Sequence, residues 1–280
     1  GELVDATDIV DAQGDAATLG SGLTPLYLTY RHYPVDDPKV AGAYGEWKDY
    51  NAYSDFISSE GVPVFYARVD HVSVPLAQEG TGQVVVDFTP EPLTQDVSFV
   101  FHIEKTADVV VDSLTAEISG IPSTMELTTG LILAQKTYKL LFRPTYAALP
   151  SAADSASAEA LRCEASVNIP GIVRSHTEDM VTGPGILQIA IYTHYDYEEE
   201  GTQRKAAKVF HAGINLYHTL KERKSLQWDE EENGYRQASR SITVEIGSPL
   251  NIDKDGILNG GSTSTGLDQW IPGETFEIEV

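Results

Sequence analysis

The sequence predicts an all-β protein, two antiparallel β-sandwich domains, on three observations. Val, Ile, Thr, Tyr and Phe gather in short runs, the runs are bounded by Gly, Pro, Asn or Asp, and no helical pattern of about a dozen residues separates them. Strands alternating with such helices would signal a parallel sheet, so the nucleotide-binding folds built on one are excluded. At 280 residues the chain exceeds the size at which a single core stops growing, roughly 250 residues, and two domains are expected. Apolar residues make up 41% of it, enough to fill real cores.

Residues 1–24 are rich in Asp, Ala, Gly and Thr, with Asp5, Asp8, Asp11 and Asp15 and little apolar mass, so a flexible acidic leader is expected there. Residues 26–30 form the first clear strand, and Pro34 and Pro38 force a turn after it because each fixes its own φ and disfavours helix before it. Tyr50, Tyr53 and Ile57 recur at helical spacing and predict a short amphipathic helix over 47–57. Strand character returns at 62–74, 83–88, 96–104, 109–118, 125–127 and 138–142. The stretch between Pro144 and Ala160 is rich in Ala, Ser and Pro, above all over 149–157, and reads as a linker or a long loop. It divides an N-terminal sandwich, 25–150, from a C-terminal one, 151–280. The second half offers strands at 163–169, 186–197, 208–220, 236–246 and 275–280, with acidic hairpin tips at 195–201 and 228–234.

The 42 acidic and 19 basic residues leave a formal charge of −23, which repels phosphate backbones and anionic headgroups and sets nucleic acid aside as a partner. A single cysteine excludes an intramolecular disulfide. Alternation places Leu161, Cys163, Ala165, Val167 and Ile169 on one strand face, so Cys163 is expected to be buried and inert. No run of about 18 apolar residues is present to form a transmembrane helix. The chain opens Gly1-Glu2-Leu3 without Met, which reads as a processed or trimmed start, compatible with removal of a signal peptide or lipid-bearing N-terminus.

No motif points to catalysis. A serine nucleophile needs a placing element such as Gly-x-Ser-x-Gly, and none occurs. The acid pairs Glu198-Glu199 and Glu230-Glu231 sit at hairpin tips, where they serve solubility rather than glycoside cleavage across a cleft. His194, Asp196 and Glu198 alternate onto one strand face that has donors for a divalent metal, although a solvated strand end explains them as well. His211 and His218, an odd number apart, point to opposite faces of a single strand. Residues 251–259, Asn-Ile-Asp-Lys-Asp-Gly-Ile-Leu-Asn, are similar to the front of an EF-hand or dockerin calcium loop. Pro249 before it, Ser262 where a bidentate Glu is needed and the Gly/Ser run after it favour a β-turn on Asp255-Gly256 instead. Neither a cofactor nor a metal site is assigned. Tyr44, Trp47, Tyr50 and Tyr53 gather aromatic mass that suits either core packing or an exposed glycan platform.

Two stretches carry a resemblance. One is Thr81-Gly-Gln-Val-Val-Val-Asp-Phe-Thr-Pro-Glu-Pro-Leu-Thr-Gln-Asp-Val-Ser-Phe-Val-Phe-His-Ile-Glu104 with Ser113-Leu-Thr-Ala-Glu-Ile-Ser-Gly-Ile-Pro122. The other is the glycine-rich stretch from Gly260 into Asp268-Gln-Trp270, followed by Glu274-Thr-Phe-Glu-Ile-Glu-Val280. In this order they resemble the fimbrillin-type proteins of Bacteroidetes, the pilus subunits, anchors and adhesins. The resemblance implies transthyretin-like Greek-key sandwiches, export as a lipoprotein to the outer membrane or fimbrium, and cell adhesion without an active site. It also implies that the partners are other pilus subunits or surface receptors of host or bacterium. The alternative is a surface glycan-binding lipoprotein served by the Tyr44 to Tyr53 cluster. The closing strand, with Phe276, Ile278 and Val280 on one face and Glu277 and Glu279 on the other, either completes its own domain or pairs with a neighbouring subunit.

Overall fold

The computed structural model describes residues 7–10, 26–33, 56–57, 63–67, 85–149, 158–173, 185–258 and 270–278. In chain order its elements are β1 (Thr7–Val10), β2 (Tyr27–Tyr30), β3 (His32–Tyr33), β4 (Phe56–Ile57), β5 (Phe65–Tyr66), β6 (Glu91–Pro92), β7 (Gln95–Thr106), β8 (Val109–Glu126), β9 (Leu131–Phe142), β10 (Thr145–Ala148), β11 (Ala158–Ile169), β12 (Ile186–Glu199) and β13 (Thr202–Asn215). A helix, α1 (Tyr217–Arg223), precedes β14 (Leu226–Asp229), β15 (Gly234–Gln237), β16 (Ser241–Glu245), β17 (Leu250–Ile252) and β18 (Ile271–Ile278). The protein is all-β as expected, with this one short helix among the described residues.

Two sheets dominate. The larger runs β14-β15-β9-β8-β12-β13-β18, and the smaller runs β10-β11-β7-β16 with β17 also on β7. Long strands pair antiparallel, while β16 and β17 lie parallel to β7. Strict alternation drives the packing. Val97, Phe99, Phe101 and Ile103 on β7 are fully buried, and so are Ala116 and Ile118 on β8 and Leu187, Ile189 and Ile191 on β12. Phe99 stacks on Phe142 of the opposite sheet at 5.2 Å between centroids. Each Val, Leu, Ile or Phe among them contributes about 1.5–3 kcal/mol by leaving water, which is why the core-facing side of these strands is apolar.

The expected boundary at 150/151 does not separate two sandwiches. β11 pairs along its whole length with β7, and β12 pairs with β8, so residues on both sides of 150 build both sheets and one core cluster. The Ala/Ser/Pro-rich stretch joins β10 to β11, neighbours in one sheet. An Ala-, Ser- and Pro-rich composition alone does not tell a connection within one sheet from a linker between domains.

Other expectations shift too. Within the expected leader, residues 7–10 form β1, hydrogen-bonded to β2. Of the expected helix at 47–57, only Phe56 and Ile57 are described, and they form the strand β4. The segments 109–118 and 125–127 merge into β8, whose Gly120 takes a φ of 89° where the register with β9 shifts, a bulge that bends the strand without ending it. The expected strand 208–220 stops at Asn215, and α1 follows it. Leu216 and Leu220, one helical turn apart, are both buried, and Lys224 closes the helix in the left-handed conformation. Residues 236–246 divide between β15 and β16. The closing strand begins earlier, at Ile271, and pairs with β13 of its own chain.

Candidate functional site

The β12–β13 hairpin reaches beyond the sheet. Its pairing with β8 ends at Tyr195↔Val109, and its pairing with β18 ends at Ala207↔Ile278. Among the described residues the two strands pair from there only with each other, Asp196↔Lys205, Tyr197↔Arg204, Glu198↔Gln203 and Glu199↔Thr202. Glu200 and Gly201 close the turn with φ of 51° and 77°, the two-residue type I′ geometry whose twist matches that of the strands. Residues 196–205 are all exposed. The result is an arm with a paired length of roughly 14 Å.

Alternation gives the arm two faces. One carries Tyr195, Tyr197 and Glu199 opposite Ala206, Arg204 and Thr202. There the two tyrosine rings lie 6.2 Å apart, Lys208 Nζ sits 5.4 Å from the Tyr195 ring, and Arg204 Nη1 meets Glu199 Oε2 at 2.9 Å. The other face carries His194, Asp196 and Glu198 opposite Ala207, Lys205 and Gln203. His194 Nδ1 lies 2.8 Å from Asp112 Oδ1 on β8. A carboxylate only accepts, so Nδ1 carries the proton. The imidazole that sequence alternation grouped with Asp196 and Glu198 is thus held by a third acid.

Among the described residues no group of three or more His, Cys, Asp or Glu is placed to hold a metal ion. In the loop that is similar to a calcium site, Asp253 Oδ1 accepts the N–H of Asp255 and of Gly256, each at 2.8 Å. Asp253 N–H donates to Gly256 O at 3.0 Å, Leu258 N–H donates to Asn251 O at 2.8 Å, and Ile252 bridges Ile257. The segment is a β-turn fixed by an aspartate side chain, one position earlier than Asp255-Gly256. Ser262 lies outside the described residues, as do Tyr44, Trp47, Tyr50 and Tyr53.

His211 is buried on β13, and His218 falls on α1, so the two do not share a strand. Cys163 is buried, and burial pushes its thiol up to about 12. Trp270 of the Asp-Gln-Trp element is a core residue, edge-on to Phe101 at 5.8 Å, with Nε1 donating to Ser248 O at 3.0 Å.

At the second acidic tip, Asp229 Oδ1 accepts from the backbone of Glu231 and Glu232, and Arg236 Nε donates to Oδ2 at 2.8 Å. The Arg236 hydrogen bond, helped by those backbone donors, holds the Asp229 carboxyl below the usual carboxylate range. Sequence reasoning did not find the Asp112–His194 pair or the buried Glu117–Lys139 pair at 3.3 Å. Both join residues on different strands, and strand pairing leaves no local signal.

No protein-family model matches the chain, and no curated protein matches it. Among solved structures, a candidate adhesin from Bacteroides ovatus is similar at a TM-score of 0.33 and 10% identity, over 82% of this chain and 75% of that one.

Proposed function

We propose that the chain is a cell-surface fimbrial subunit or fimbrillin-like adhesin lipoprotein, acting through strand edges and exposed β-surface rather than by catalysis. The observation that carries this reading is the arm: ten consecutive exposed residues, 196–205, held in a ladder beyond the sheet. A two-stranded ribbon alone is marginal in water, and exposed Tyr and Arg are the residue types that anchor protein contacts. The resemblance at 81–122 and 260–280 supports the transthyretin-like Greek-key reading, outer-membrane or fimbrial placement, and pilus subunits or surface receptors as partners.

The test shortens the arm. Residues 196–205 are replaced by Asn-Gly, which joins Tyr195 to Ala206 through the same type of turn. Beads coated with the parent are expected to adhere saturably to host-cell layers or to bacteria. The shortened chain is expected to keep its thermal transition and lose most of that adherence. Undiminished adherence by a folded, shortened chain overturns the reading, and saturable binding to a neutral glycan array that survives the shortening favours the glycan-binding alternative.

A further inference from the structure

We infer that the outer edge of β12 in the arm takes up an extended, basic segment of a partner protein as an added strand, with basic and β-branched or aromatic residues alternating along it. The inference rests on the adhesin reading and names the occupant of the arm.

The register determines which backbone groups face outward. Glu199 and Thr202 close a two-residue turn and so form a hydrogen-bonded pair, and the next such pair is Tyr197 with Arg204. The N–H and C=O groups of Asp196 and Glu198 therefore point away from β13, into the lane that β8 occupies as far as Val109. Among the described residues no strand continues that lane. The chain turns out of it at Ala107-Asp108, between β7 in one sheet and β8 in the other.

Side chains beside the lane select the occupant. On one face stand Asp196 and Glu198, on the other Tyr197 and Glu199, with exposed Asp108 at the foot and Glu200 at the tip. The arm's basic residues, Arg204 and Lys205, lie on the far strand. Opposite charges on facing strand positions attract and like charges repel, so basic residues fit opposite Asp196 and Glu198. Tyr197 favours a β-branched or aromatic neighbour on the other face. A second copy of this chain, at −23, meets the same edge with repulsion.

The probe is a synthetic eight-residue peptide of alternating Lys and Val, titrated into the full chain and followed by calorimetry and amide exchange. Saturable binding is expected, with the Asp196 and Glu198 amides exchanging at least tenfold more slowly in the complex. Glu198→Lys is expected to weaken binding at least tenfold, and so is N-methylation of alternate peptide nitrogens on the pairing edge.

Equal binding of a Glu/Val peptide, insensitivity to N-methylation, or unchanged exchange at Asp196 and Glu198 overturns the inference, and so does self-association through the same edge. If arm shortening abolishes adherence and the peptide fails, the occupant is wrong while the adhesin reading stands. If adherence survives shortening, that reading itself falls.

Discussion

Ser225 donates its hydroxyl to Gln95 Oε1 at 2.6 Å, tying together residues 130 apart in sequence. Gln95 Nε2 returns hydrogen bonds to Ser225 O at 2.9 Å and Ser239 O at 3.1 Å, and Ser225 Oγ accepts the Ile172 N–H at 3.0 Å. Both side chains are fully enclosed. This cluster pins the start of β7 to the loop after β11 and to the β14–β15 hairpin, so it locks one sheet's entry to the other sheet's edge.

Replacing Gln95 by Leu keeps the volume and strands several of those partners without solvent. A buried polar group left unsatisfied costs about 1–3 kcal/mol. Gln95→Leu is therefore expected to lower unfolding stability by about 2–4 kcal/mol. In urea the midpoint should fall while the slope stays constant, since the surface exposed on unfolding hardly changes. An unchanged midpoint would show that the cluster is dispensable.

Glu117 and Lys139 form a buried pair on the face of the larger sheet turned away from β7, with Lys139 Nζ 5.7 Å from the Phe56 ring. Burial lowers the Lys139 ammonium below the ordinary lysine value, and Glu117 only partly opposes this. Removing one partner leaves a lone buried charge, so Lys139→Met is expected to cost about 3–5 kcal/mol. Glu117→Leu combined with Lys139→Met should recover most of that loss. The pH sign follows from the lowered value. Between it and the ordinary lysine value, near 10.4, the unfolded chain binds the extra proton, so this group's contribution to stability rises with pH. A double-mutant cycle measured at neutral and alkaline pH checks both statements, and the double variant should lose the alkaline rise.

Asp229 gives the opposite sign. Its carboxyl is held below the usual range by Arg236, so its stabilising contribution is fully present above the ordinary carboxylate value and is lost as pH falls through the lowered one. Amide protection factors in the β14–β15 hairpin, the observed exchange corrected for the intrinsic rate at each pH, should stay high at neutral pH and fall in acid. Asp229→Asn should remove that acid-linked step, and an identical pH profile in the variant would rule out the Arg236 contact as its origin.

Legibility in the sequence follows how local each cause is. β7 and most of β11 are legible because each has one face against an opposing sheet, and that face writes period-two alternation into residues 96–104 and 161–169, while residues 158–160, which open β11, share the composition of the stretch before them. The acidic hairpin tips are legible for another local reason, the clustering of acidic residues at 195–201 and 228–234. The segments 109–118 and 125–127 look like separate strands in the sequence, whereas the chain uses Gly120 and Pro122 between them for register shifts within one 18-residue strand. α1 was missed because seven residues hold too few turns to show a period. The domain division failed because which strand pairs with which is a property of the whole fold. The arm lay half in view, since its acidic tip was legible and its projection past β8 and β18 depends on where those distant strands stop.

Cys163 tests the alternation most directly. It faces the core between Leu161 and Ala165, is completely shielded from solvent, and has its thiol pushed up to about 12 by that burial. The thiolate is the nucleophile, so two barriers act together, absence of the reactive form and absence of a path for the reagent. The folded chain at pH 8 is expected to resist a thiol reagent for as long as it stays folded, and to react stoichiometrically once denaturant unfolds it. Cys163→Ser buries a hydroxyl in place of a weakly polar sulfur, and its cost depends on whether that hydroxyl finds a carbonyl along β11. Cys163→Val keeps the site apolar and should be the milder change. Rapid labelling of the native protein would place Cys163 on an exposed face and reverse the assignment of the whole strand, because a slip of one residue moves every side chain of β11 to the other side.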